Sequence, residues 1–202
     1  MAYFPMYIDI ADQDCLIVGG GTIAYRKALV LLDFGAKVSV VATVVSDELK
    51  RLPVAVFEQA FELEQLNGKE LVVCATDNSA LNLAISAHCK ENRIPVNVVD
   101  QAAASSFIFP SYVKENDLVA AISSGGKSPL LTQILKKSVS EQLTPFLGEL
   151  NEYLGSCRAT VQSNTDSEAQ RKHIYQSLYE LAISQNRLPS QDELAEIISH
   201  EL

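Results

Sequence analysis

The sequence has no tryptophan, only four cysteines, and no long apolar run in its 202 residues. Its longest uninterrupted apolar stretches, such as Leu118 to Ile122, fall far short of the ~20 residues that a membrane helix needs. Met1 to Asp9 lacks a basic segment followed by an apolar one, so no secretory signal is expected there. Cys15, Cys74, Cys89 and Cys157 are scattered without a CxxC spacing. The first two sit inside strand-like runs, where a reduced, buried thiol is the expected state. His88, His173 and His200 add no ligand spacing, so no resident metal site is expected. Positive charge is also scarce. Sixteen Lys and Arg face 25 Asp and Glu, and the net charge of −9 disfavours non-specific nucleic-acid binding. These shortages together point to a reduced, cytoplasmic protein without membrane or nucleic-acid partners.

What is present is a globular composition: 48% hydrophobic and 20% charged residues, enough apolar material for a core without disulfide or metal staples. The first half alternates strand and helix patterns. Cys15 to Val18 is a β-rich run that opens directly into Gly19-Gly20-Gly21. Ala24, Ala28, Leu31 and Leu32 then recur at helical spacing, and Gly35 stands where a left-handed helix end is wanted. Val38 to Val41, Val54 to Phe57, Leu71 to Ala75 and Val96 to Val99 supply four more strand candidates. Val38 to Val41, without alternation, fits a strand covered on both faces. Asp77 is the expected N-cap of a helix carrying Leu81, Ala84, Ile85 and His88. Strands separated by helical segments in this rhythm predict an α/β fold, a Rossmann-like doubly wound parallel sheet.

From Phe107 the rhythm breaks. Phe107 to Pro110, Tyr112-Val113 and Leu118 to Ser123 read as extended segments around the polar turn Lys114 to Asp117. Ser128 and Pro129 then suit the N-cap and first position of a helix, and Pro145 begins another. The remainder is helical in pattern, with a capping box at Ser190 to Glu193 opening the last helix. The expected organisation is a Rossmann-like domain at 1–112, a central region at 113–150, to which the resemblance given below assigns dimerisation, and a helical region at 151–202.

Three clusters carry chemistry. Gly19, Gly21 and Ala24 fit G-x-G-x-x-A between a strand and a helix. Gly19 permits the tight turn, Gly21 lets a pyrophosphate approach the backbone, and the amides of Thr22 and Ile23 face the phosphates. A tight turn that binds nothing is the plainer alternative; the strand–loop–helix context favours dinucleotide binding. The acid that usually holds a ribose is missing after the second strand, which runs into Val41-Ala42-Thr43. The Thr43 hydroxyl and backbone groups near Val44 can serve instead, and the choice between NAD and NADP stays open on this rule. Asp100 closes the fifth strand, on the sheet edge where ligands of such folds bind. It is either a proton acceptor or a cap for the turn Gln101 to Ala104. Finally, Ser123 to Pro129 places glycines, a lysine and hydroxyls before a helix. This is either a receptor for a substrate carboxylate, through Ser124, Gly125, Gly126, Lys127 and Ser128, or an ordinary capped turn.

Taken in order, several segments resemble the precorrin-2 dehydrogenase family, which includes the dehydrogenase/ferrochelatase module of sirohaem synthase. They are Cys15 to Gly21 with Ala24, Arg26 and Lys27; Ala75-Thr76-Asp77; Val96 to Asp100; Phe107 to Ser111; and Ser123 to Pro129. Each alone is weak, the ordered set is specific, and it covers roughly residues 4 to 155. Some relatives carry Cys-Asp just before the Phe-Ile-Phe-Pro segment, where Ser105-Ser106 stands here.

The resemblance implies a homodimer whose central region makes the dimer contact, NAD contacts at Thr22, Ile23, Thr43 and Val44, and Asp100 as the principal acid. It implies NAD-dependent oxidation of precorrin-2 to sirohydrochlorin, with ferrous iron or cobalt insertion as a second activity. Ending at Leu202, the chain resembles the stand-alone form without a methyltransferase domain. Precorrin-2 is a polycarboxylate, so its site must be locally basic despite the acidic average. The alternatives are an NAD-sensing regulatory domain that gates a partner, and a dehydrogenase for another small substrate. The regulatory domain needs the glycine loop but not Phe107 to Ser111 or Ser123 to Pro129.

Overall fold

The computed structural model describes residues 3–200. The two outermost residues at each end, and with them the extremes of the expected first and last segments, lie outside the described residues. The chain forms two compact units divided between Phe109 and Pro110.

The first unit is built on a five-stranded, all-parallel sheet in the order β3-β2-β1-β4-β5. Its strands are β1 (Asp14–Val18), β2 (Lys37–Ala42), β3 (Ala55–Glu58), β4 (Leu71–Cys74) and β5 (Val96–Val98). All five fall on the expected runs. β1 and β4 are central and buried on both faces, which is why they read as continuous apolar runs. One face is covered by α1 (Thr22–Asp33) and the short α2 (Asp47–Lys50), packing Ala24, Ala28, Leu31 and Leu49 on Ile17, Val40 and Val73. The other face is covered by α3 (Ser79–Glu91) and a single 3-10 turn at Leu63–Leu66. They bury Ile85, Cys89 and Leu66 against Leu16, Val18 and Val72. Gly35, at φ +76°, follows the end of α1 as expected.

α3 corrects one expectation. Its N-cap is Asn78, whose side chain accepts from the Leu81 amide at 3.1 Å, and not Asp77. Thr76 decides between the two adjacent caps: its hydroxyl oxygen accepts from the Asn78 amide at 3.2 Å and pairs with Asn82 Oδ1 at 2.6 Å. The Asn82 amide group returns a bond to the Thr76 carbonyl at 2.9 Å, so this buried asparagine is satisfied.

The open edge of β5 is closed by side chains. Ser106 Oγ accepts from the Val96 amide at 2.8 Å and Ser105 Oγ from the Val98 amide at 2.9 Å. The two serines therefore serve the backbone of an edge strand, protecting it from further pairing.

The second unit begins with an antiparallel hairpin, β6 (Ser111–Glu115) and β7 (Leu118–Ile122), followed by α4 (Pro129–Gln142). Four further helices follow: α5 (Pro145–Ser156), α6 (Arg158–Ser163), α7 (Glu168–Gln185) and α8 (Gln191–His200). Their core is Cys157, Val161, Ile174, Leu178, Leu194 and Ile198. Two units stand where three segments were expected, and a boundary after residue 112 would cut the hairpin. The pairing of Ser111 with Ile122 and of Tyr112 with Ala121 draws those residues into the second unit. Among the described residues no helix is long and apolar enough to cross a membrane.

Candidate functional site

Because the strands are parallel, the carboxyl ends of β1, β2, β4 and β5 line one edge of the first unit, and two residues with positive φ, Gly19 and Asp100, stand there. Gly19 leaves β1 at φ +128° and donates its amide to the Val41 carbonyl at 2.9 Å. A Cβ at Gly19 would lie 2.3 Å from the Ala75 carbonyl oxygen, so the turn out of β1 grazes the end of β4. Gly21 is the N-cap of α1, and a Cβ there would meet nothing within 4 Å. The space over Gly21 is open, as close approach of a pyrophosphate requires.

No side chain caps α1 and no acid stands in its first turn, so the amides of Thr22 and Ile23 are left to a ligand. Open space beside an uncapped helix start is the arrangement that receives a phosphate, and a dinucleotide fits these residues. Thr43 and Val44 follow β2 on the same edge, both exposed, Val44 at 77%.

Two residues of this loop system carry little signal in the sequence. Gly20 is as constrained as Gly19, since a Cβ on it would lie 2.1 Å from the Val44 carbonyl oxygen. Its own carbonyl accepts from the Ser46 amide at 2.9 Å, tying the phosphate loop to the segment after β2. Glu58, at the end of β3, accepts from the Val45 amide at 3.3 Å and pairs with Lys50 at 2.8 Å. The hydrogen bond from Lys50 holds its carboxyl below the usual range. Glu58, an acid of the neighbouring strand, thus holds the segment after β2 at Val45.

Asp100 follows β5 at φ +59° and is exposed. The turn after it is made by backbone bonds, Gln101 amide to Val98 carbonyl and Ala104 amide to Gln101 carbonyl, both at 3.1 Å. Within its unit the Asp100 carboxylate takes no part in them, so the side chain does not act as a cap. It borders an open groove of about 660 Å³ between α3 and the Asp100–Ala104 loop, lined also by Leu83, Ser86 and Lys90. The charge of Asp100 acts on Lys27 of α1, whose ammonium stands 3.9 Å from the centroid of the Phe109 ring. Phe109 in turn packs on Phe107, ring centroids 5.3 Å apart.

Ser124, Gly125, Gly126, Lys127 and Ser128 belong to the second unit. Gly125 and Gly126 are both left-handed, at φ +63° and +80°. The loop's hydroxyl oxygens are acceptors for its own amides: Ser123 for Gly125, Ser124 for Ser128 and Ser128 for Leu131. Each hydroxyl retains its proton for donation outward, and Lys127 is exposed.

Comparison with known proteins places this geometry among relatives. Residues 6–111 match a family model described as putative NAD(P)-binding. A siroheme synthase from Nitrosospira multiformis is 36% identical over 203 residues, covering 96% of this chain and 43% of that protein. A siroheme synthase from Citrobacter koseri is 37% identical over 186 residues, covering 89% and 40%. The chain therefore spans less than half the length of these curated relatives. Among solved structures, the precorrin-2 dehydrogenase SirC superposes with a TM-score of 0.72 over 98% of both chains, at 24% identity. The fold is shared throughout, and the dinucleotide for which the first unit is built is of the NAD(P) type.

Proposed function

The chain belongs to the putative NAD(P)-binding family matched over residues 6–111 and is a relative of the siroheme synthases, and from that premise we propose that it is an NAD-dependent precorrin-2 dehydrogenase producing sirohydrochlorin. The observation that carries the reading is the shared sheet edge: an uncapped phosphate loop at Gly19–Ile23 and an uncommitted carboxylate at Asp100. The nicotinamide, when bound, accepts the two electrons removed from the macrocycle. Gly21 gives the pyrophosphate room, Thr22 and Ile23 donate amides to it, and Thr43 and Val44 line the ribose side. Asp100 takes the proton released from the macrocycle, its carboxylate spent on no hydrogen bond among the described residues. Ser124, Gly125, Gly126, Lys127 and Ser128 receive substrate carboxylates. The absence of an acid after β2 leaves the ribose 2′ position to Thr43 and sets no charge against a 2′-phosphate, so the assignment of NAD rests on the resemblance and not on this loop.

A homodimer through the second unit is part of this reading. α4 buries none of its own residues, and Leu130, Leu131, Ile134 and Leu135 stay 52–65% exposed. Such a stripe is more than a solvated helix needs. Insertion of ferrous iron or cobalt into sirohydrochlorin is the second proposed activity, with the metal as substrate. An NAD-sensing regulatory domain is not favoured, because similarity runs through 89–98% of the chain and not through the nucleotide-binding half alone. The test is NADH release on anaerobic mixing with precorrin-2 and NAD. Folded protein that binds NAD yet forms no NADH would defeat the dehydrogenase reading. Iron insertion, followed by the absorption spectrum of sirohaem, tests the second activity separately.

A further inference from the structure

The first unit contains five lysines, and four of them have an oxygen partner. Lys37 lies 3.6 Å from Asp12, Lys50 2.8 Å from Glu58 and Lys69 3.9 Å from Asp14, while Lys90 donates to the Ala103 carbonyl at 3.2 Å. Lys27 is the exception. Among the described residues its ammonium makes no hydrogen bond and no ion pair; it rests on the face of Phe109, 3.9 Å from the ring centroid. Half-burial pushes its pKa down, and the attraction of Asp100 works in the opposite sense. An ammonium has three donors, and a ring face satisfies the charge in part without accepting those protons as an oxygen would. A half-buried cation with unused donors, within electrostatic reach of the candidate acid, is prepared for an anion that comes from outside.

Resting on the function proposed above, we propose that Lys27 is a carboxylate receptor of the tetrapyrrole site, its ammonium taking one acidic arm of the macrocycle beside Asp100. Two features support this class of ligand. The chain carries a net charge of −9, so a polycarboxylate needs a local cation that is not already held in an ion pair. Lys27 also lies five residues into the helix that starts at the phosphate loop, about 7.5 Å along its axis from Thr22. That is far enough to leave the pyrophosphate to the helix start and close enough to serve a substrate lying against the nucleotide. The rival account is packing alone, with the lysine stem covering Phe109 and its head in water.

Lys27→Met separates the two, because it keeps an unbranched stem over the ring and removes only the charge. The experiment is an anaerobic titration of the full chain with sirohydrochlorin, alongside NADH titration and thermal melting, for the parent protein, Lys27→Met and Lys27→Arg. A charge-assisted hydrogen bond lost from the site weakens sirohydrochlorin binding by about tenfold or more. Lys27→Met is expected to do this and to flatten the salt dependence, leaving NADH binding within about twofold; Lys27→Arg is expected to retain most of the affinity. With precorrin-2 the Met variant raises KM more than it lowers kcat. Equal sirohydrochlorin affinity in the parent and Lys27→Met, or a parallel loss of NADH affinity, would overturn the assignment. A parent protein that binds NADH but no sirohydrochlorin overturns the substrate reading itself, and the inference with it.

Discussion

Gly20 and Val44 are packed so closely that a methyl group on the first would sit 2.1 Å from the carbonyl oxygen of the second. The neighbouring Val45 Cα, at 2.9 Å, leaves no direction of relief. The middle glycine of Gly19-Gly20-Gly21 is therefore a packing residue between two loops, while Gly21 borders open space. Their alanine variants should separate stability from binding. Gly20→Ala should destabilise the first unit by about 1–3 kcal/mol, as overpacking does, and lower its melting temperature. Gly21→Ala should melt like the parent but bind NADH about tenfold more weakly, because its methyl group intrudes on the pyrophosphate. Equal melting temperatures for all three proteins would refute the packing role of Gly20.

Asp100 sits at φ +59°, a conformation that asparagine adopts readily. Asp100→Asn should therefore leave the fold and NADH affinity unchanged while removing the only proton-accepting oxygen pair assigned to the reaction. Loss of a positioned general base costs about 100-fold or more, and NADH formation from precorrin-2 should fall by that factor. A variant that keeps the parent rate would remove Asp100 from the mechanism.

The middle of the sheet was legible because β1 and β4 are covered on both faces. Runs such as Leu16-Ile17-Val18 and Val72-Val73-Cys74 carry no alternation to mislead, and the glycine spacing marked where the first of them must turn. The family resemblance drawn from the ordered segments is borne out by the relatives found. What the sequence hid was tertiary. Gly20 is constrained by the Val44–Val45 segment and Glu58 acts on a loop from an adjacent strand. Lys27 meets Phe109 from the far side of the unit's chain. Its only trace in the sequence is its place in the matched segment after the glycines. Asp77 and Asn78 are equally good caps by composition, and Thr76 with Asn82 chose between them. The hairpin moved the domain boundary because a pair of strands cannot be divided at residue 112.

All four cysteines are free and buried. Burial raises Cys15 and Cys89 to about 11 and Cys74 to about 12, so almost no thiolate forms at neutral pH. Ellman's reagent at pH 8 should therefore find no fast-reacting thiol in the native protein and four in denaturant. Their slow native reaction should follow the opening of the fold. A rapidly labelled cysteine would contradict the burial described.

The start of α8 is held by charge. Arg187 donates to Glu193 at 2.6 and 2.8 Å, and the Ser190 amide donates to the same carboxylate at 2.7 Å, while Ser190 Oγ accepts from the Glu193 amide at 3.2 Å. The bonds from Arg187 first, then that from Ser190, bring the Glu193 carboxyl down to about 2 from its ordinary 4.5. A carboxyl depressed in the folded state stabilises that state fully above its unfolded pKa and ceases to do so as pH falls through the folded one. The contribution of Glu193 is thus intact at neutral pH and disappears between about 4.5 and 2. Hydrogen exchange in α8 should accelerate across that window ahead of α7, and Glu193→Gln should remove the acid dependence while already loosening α8 at pH 7. If the helix exchanges at the same rate at pH 6 and pH 3 relative to the rest of the second unit, the ion pair does not hold it.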